Sequence, residues 1–398
     1  MIALKTHGKI VLQVEEASIG KILNIYPDEH LSERPVFSNA LANGEMSLTD
    51  LKKECGTLLI PWQLFLLQPG KLDRSIEQIE ARRNAKFNER LIASRKKDGS
   101  GISLRIADRV IGLQEFASRG ISQPNDFCGM LNNHDRSQWP QILTKHFGID
   151  PIKLKNRPKK AVLEYLIKQT EAKNIRVARG VLSSAAMLFP VAREIQKTYR
   201  KSSGFVVHDP KLPYVFLPDE MGDNETMGRQ ILTLLVLLVL VGTNTYDIYL
   251  TGDLELRIRR DKILAKAFGV ATDILLPQEV SDSYKGKVIT EAIRDELAAA
   301  YMLSPSAVVV TLRQRDVIES DKEQTRLLGS IETGGGGGGP MSAPKIDTSI
   351  KKLCGESTTA DIVSALSDHK LKTVDAQYLM FGRVDKLRFA KFAATVGL

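Results

Sequence analysis

The sequence predicts an α+β protein, mainly helical, with one small β-hairpin set among its helices. Three observations predict this. Segments between about Ser75 and Ser184 repeat apolar residues every three or four positions, and a short stretch from Gly204 alternates every second position. Between them in character, "RQILTLLVLLVLVG", Arg229 to Gly242, is apolar on nearly every helical face. At 398 residues the chain is too long for one ordinary core, and 43% apolar with 26% charged residues is the composition of a globular chain.

Taken in order, residues 1–74 form an N-terminal region. Its first thirty residues alternate weakly; Ser47 or Thr49 then caps a helix from about Leu48, Pro61 interrupts the pattern, and Leu64, Phe65 and Leu66 start another short helix. The two together suggest a helix-turn-helix-like unit in a helical N-terminal part. Residues 75–184 form a helical middle section, carried by "SIEQIEARRNAKFNERLIASRKK", "SLRIADRVIGLQEFASRG", "SQWPQILTKHFG" and "KKAVLEYLIKQTEAKN". In "GFVVHDPKLPYVFLPDE" two β-prone runs flank Asp209 and Pro210, which predicts a hairpin. Downstream, "RRDKILAKAFGVATDILLP" reads as a helix ended by Pro277, and Ser304 caps a later helix with Pro305 in its first turn. Gly334 to Gly339 make residues 334–340 a linker, because such a run buries no apolar surface to offset the entropy of ordering. Residues 341–398 carry helical periodicity and predict a short helical C-terminal tail, a small appended module.

Bulk properties exclude some classes. The run Ile231 to Val241 is about half the length a bilayer span requires, so no membrane partner is expected. The N-terminal stretch shows no apolar h-region or small-residue cleavage site, and the three cysteines, Cys55, Cys128 and Cys354, are odd in number and widely spaced. The expectation is a cytoplasmic protein. The net charge of +9 is concentrated in Arg82 to Lys97 and Lys153 to Lys160. Solvated helix faces explain these runs, and so does a DNA surface using Arg82, Arg83, Arg95, Lys96 and Lys97.

From Gly204 to Ile318 the order of motifs resembles the ImmA/IrrE family of zinc-dependent endopeptidases. The hairpin stretch, "RQILTLL" leading into a site helix, "AFGVATDILLP" in a second helix and "LAAAYMLSPSAVVVTLRQRDVI" carry the likeness. The resemblance implies a zincin-like domain over residues 185–333. In that family "RQxFTLxHELxH" places two zinc-binding histidines one helical turn apart, with a glutamate that activates the zinc-bound water, and a following helix adds an acidic ligand. Aligned on Arg229, Gln230 and Thr233, the histidine positions fall on Val236 and Leu240 and the catalytic glutamate position on Leu237. Counting back from Pro277, the acidic ligand position is Leu264 and the family's frequent asparagine is Phe268. Zinc needs nitrogen, oxygen or sulfur donors, and none of the five side chains has one. The implied zinc site is erased, so no cofactor is expected, and the opening run is apolar on nearly all faces because its ligands are gone.

Other sites have little support in the residues. His208 with Asp209 precedes Pro210 in the hairpin loop, and Asp253, Glu255 and Asp261 precede the second site helix, but a solvated turn and helix-start charges account for them. Ser203 and Cys128 lack any neighbouring catalytic pattern, and the glycine run is not followed by Lys-Ser/Thr as a phosphate loop would be. Three functions stay open. One is a regulatory protein that binds a partner, of which the resemblance suggests a helix-turn-helix repressor, along the hairpin through His208, Asp209, Tyr214 and Phe216. The others are an inactivated form of an active zinc endopeptidase and a DNA-binding regulator.

Overall fold

The structure, a computed structural model, describes residues 1–25, 32, 34–58, 60–90, 104–180, 202–218, 226–245, 248–250, 262–331, 346–382 and 384–398. The N-terminal unit contains a sheet that the sequence reading assigned to a helical part. Strand β1 (Ile2–Thr6) turns at His7 and Gly8, both at positive φ, and pairs antiparallel with β2 (Lys9–Val14). Helices α1 (Glu16–Leu23) and α2 (Pro35–Asn43) follow, and β3 (Glu45–Ser47) returns to lie parallel to β1, giving the order β2-β1-β3. The weak alternation was therefore true period-two patterning, with Ile2, Leu4 and Val14 turned into the core.

Helix α3 (Leu48–Leu58) starts where expected, and Ser47 Oγ accepts from the amides of Thr49 at 3.2 Å and Asp50 at 3.4 Å. The second half of the supposed helix-turn-helix is a short 3-10 turn, Trp62–Leu66, whose Leu64 and Phe65 are buried, so it presents no recognition helix. Helix α4 (Pro69–Arg90) runs through residue 74, and its Ile76 and Ile79 pack on this N-terminal core.

Helices α5 (Leu104–Ala117), α6 (Trp139–Phe147), the single turn α7 (Pro151–Leu154) and α8 (Lys159–Glu171) make up the middle section. The chain then enters β4 (Arg176–Gly180), which the helical reading of this section missed. Its partner lies almost forty residues on. Strands β5 (Ser202–Val207) and β6 (Tyr214–Pro218) form the expected antiparallel hairpin, with Asp209 Oδ1 accepting from the amides of Lys211 at 2.7 Å and Leu212 at 3.0 Å in the turn. β4 pairs parallel with β6; after α9 (Thr226–Gly242), β7 (Ile248–Leu250) pairs with β5, and the order is β4-β6-β5-β7.

Helix α10 (Lys262–Leu275) stops before Pro277, and α11 (Gln278–Asp282), α12 (Glu291–Ala300), α13 (Pro305–Gln314) and α14 (Asp321–Gly329) follow. Ser304 caps α13 by accepting from Ala307 N, with Pro305 at the first helical position. Helices α15 (Ile346–Cys354), α16 (Glu356–Ser367), α17 (Thr373–Phe381) and α18 (Lys386–Val396) end the chain. The glycine linker 334–340 and the 184/185 division lie outside the described residues.

Period two decides what each sheet face meets. Val177, Val206, Val215 and Leu217 join the large core with α6, α8, α9, α10 and α13. Ala178, Phe205, Val207, Tyr214 and Phe216 point the other way and join a second core with α5 and the C-terminal helices. A sheet buried on both faces needs apolar residues at successive positions, which is why the hairpin strands are so rich in Phe, Val and Tyr. Among the described residues no helix is long and apolar enough to cross a membrane.

Candidate functional site

Helix α9 passes between the sheet and α10, and every residue from Gln230 to Thr243 is buried. At Gly242 an added Cβ would stand 2.7 Å from Leu131 Cδ1 and 2.9 Å from Phe127 Cζ, so the helix approaches as closely as glycine permits. Gln230 at its start donates to the carbonyl of Pro218, fixing the helix to the end of the hairpin. The packing places Val236, Leu237, Leu240, Leu264 and Phe268 in one continuous hydrocarbon core, each 3% exposed or less. Zinc does not fit this set, because five side chains without a donor atom cannot replace its hydration shell. One turn before Leu237 on the same helix, Thr233 has a buried hydroxyl with no hydrogen-bond partner. Among the described residues no group of three or more His, Cys, Asp or Glu could hold a metal ion.

The hairpin candidates divide. His208 is half-buried, and Asp209 is buried, with its carboxylate occupied by the turn amides. Tyr214 and Phe216 are corrected outright: both are wholly enclosed and cannot meet a partner. The Tyr214 hydroxyl donates to the carbonyl of Cys354 and lies 3.1 Å from Thr358 Oγ1, and burial pushes its pKa well above the ordinary value. Phe216 stacks on Phe205 with centroids 5.1 Å apart. Both faces of the hairpin are covered by this chain itself, one of them by the C-terminal helices.

That covering rests on polar contacts the sequence did not single out. The Glu171 carboxylate accepts from Ser357 Oγ at 2.7 Å, Ser357 N at 3.2 Å and Val177 N at 3.3 Å. Burial pushes its pKa up, against the pull of those hydrogen bonds. Arg176 pairs with Asp361 at 2.9 Å, and the half-buried Arg109 donates to the carbonyl of Met380, its pKa lowered by desolvation. Gly355 sits at φ 78 against this cluster, where a Cβ would stand 2.8 Å from the carbonyl oxygen of Val177. One signal was available: Gly355 precedes the acid-then-hydroxyl start "ESTT" of a helix, but nothing local said what that start would meet.

Of the basic candidates, Arg82 is exposed on α4. Arg83 is corrected, because its guanidinium is largely buried, donates to the carbonyl of Ile25 and holds α4 to the N-terminal core. Arg95, Lys96 and Lys97, like Asp253, Glu255 and Asp261, lie outside the described residues. Compared with protein-family models, curated proteins and solved structures, the chain matches none.

Proposed function

We propose that the chain is a non-catalytic regulatory protein on an ImmA/IrrE-like scaffold, one that binds a protein partner and does not cut it. The partner class suggested by the resemblance is a helix-turn-helix repressor of a mobile element or stress response. The observation that supports the reading is the hydrocarbon core at Val236, Leu237, Leu240, Leu264 and Phe268, where the resemblance would put ligands and base. A vacated site holding leftover polar groups would cost about 1 to 3 kcal/mol for each unpaired one. Filling it with aliphatic side chains stabilises by roughly 1.5 to 3 kcal/mol each. The same filling would describe an inactivated descendant of an active endopeptidase. Duplex DNA binding has less support, since α4 offers Arg82 but not Arg83.

The test is elemental analysis of the full chain after incubation with zinc and exhaustive dialysis, with a peptide-hydrolysis assay in parallel. The expected result is far less than one zinc per chain and no chelator-sensitive cleavage. A single tightly held zinc, or hydrolysis abolished by a chelator, overturns the proposal.

A further inference from the structure

A concave feature lies at the far end of α10 from Leu264, eleven residues along and so about 16 Å away at the helical rise. It is a cleft of about 310 Å³ where the α7 turn, the end of α10, α11 and the end of α12 meet. Leu154, Leu275 and Met302 are its buried apolar walls, and Val280 and Tyr301 are partly buried within it. Met302 lies two residues past the end of α12, after the C-cap Tyr301, at φ 60 in the left-handed position that glycine usually takes. Its side chain is retained there and forms a wall. Ile152 at the rim is 86% exposed, so apolar surface continues out of the cleft into water.

Lys155 supplies the charge. Its ammonium lies 4.9 Å from the centroid of the Tyr301 ring, over the ring face, which holds it at the mouth. No acidic residue lines the cleft, and among the described residues no carboxylate stands within ion-pair distance of this lysine. A concave apolar surface with one orienting charge is the pattern of a small-ligand site. The volume is that of on the order of ten water-sized groups, which suits a chain of about that many carbons.

We propose that this cleft binds a medium-chain aliphatic monocarboxylate, hydrocarbon against Leu154, Leu275, Val280 and Met302 and carboxylate on Lys155. The site is independent of the erased zinc positions and of the function proposed above. The test is titration of the full chain with decanoate carrying a 13C carboxyl label, read by NMR, beside 1-decanol and decyltrimethylammonium. Decanoate is expected to saturate at one equivalent and to bind more tightly than the alcohol, with the cation weakest. Lys155→Met is expected to weaken decanoate about twofold to fivefold, the upper range of a solvent-facing ion pair, and to leave 1-decanol unchanged. Val280→Trp, filling the cleft, is expected to abolish both, with circular dichroism confirming the fold. The lysine variant decides the matter if the tryptophan variant fails to fold. Non-saturating decanoate binding, equal affinity for the cation, or a Lys155→Met effect that is absent or shared by the alcohol overturns the proposal.

Discussion

Leu237 and Thr233 sit one helical turn apart on α9 and respond to substitution in opposite directions. Leu237 is wholly buried among aliphatic side chains, so Leu237→Glu places a carboxyl in a hydrocarbon core, with the Thr233 hydroxyl one turn away as the polar group on its own helix face. The acid must stay protonated or drive the core open, and the variant is expected to lose about 4 kcal/mol or more in chemical denaturation. Thr233 already carries the smaller version of that fault, a buried hydroxyl without a partner. Thr233→Val keeps its shape and is expected to gain about 1 kcal/mol in the same measurement. A destabilised valine variant would show that the hydroxyl is hydrogen-bonded in solution. The cysteines offer a second residue-scale check. Cys55 and Cys354 are buried, with burial pushing the thiol pKa of Cys55 up to about 12, whereas Cys128 is only half-buried. Native-state alkylation followed by mass spectrometry is expected to modify Cys128 first, since the thiolate is the reactive form.

At the scale of elements, the junction of α8, β4 and the start of α16 decides whether the C-terminal helices stay down. Gly355→Ala combines a left-handed backbone with a Cβ 2.8 Å from a carbonyl oxygen, so the junction must shift. Faster amide exchange across residues 346–398, with residues 231–241 unchanged, is the expected outcome. Glu171 makes the same junction pH-dependent. Its folded pKa is raised above the ordinary 4.5, so the folded state holds its proton more tightly than the unfolded chain does. The resulting stability is fully present below pH 4.5 and is lost as pH rises through the folded value. Glu171→Gln is expected to remove that decline, seen as a flatter plot of unfolding midpoint against pH. Such a junction is poorly legible in sequence. The hairpin, the Ser304 cap and the stop at Pro277 were readable because each is decided within a few residues. By contrast β4 is decided by pairing Arg176 with Tyr214, so its short run shows little local preference, and the local β1–β2 hairpin alternates only weakly because most of β2 is exposed. The candidate site was legible as a set of aliphatic positions, but the cover over Tyr214 and Phe216 was not, because their strand pattern is the same whether a partner or the chain's own helices bury that face.

For the whole molecule, the C-terminal helices are a structural layer. They close a core that includes Phe205, Tyr214 and Phe216 from the sheet and Ile350, Met380 and Phe392 from the tail. Aromatic side chains bury about 150 to 250 Å² each, so the three sheet rings alone account for on the order of 500 Å². With α5 alone left to cover them, they would add to an apolar patch approaching the largest that a monomer ordinarily exposes. A chain ending at Ile331 is therefore expected to self-associate, read by light scattering on a sizing column, and to exchange amides faster over residues 202–218. The opposite sheet face and α9 belong to the other core, so slow exchange at residues 231–241 is expected to survive the truncation. The two cores separate the alternatives: self-association with α9 still protected marks the tail as a cover over an intact body. Loss of protection in both regions marks one cooperative unit, and a monomer with unchanged exchange marks a tail that contributes no cover at all.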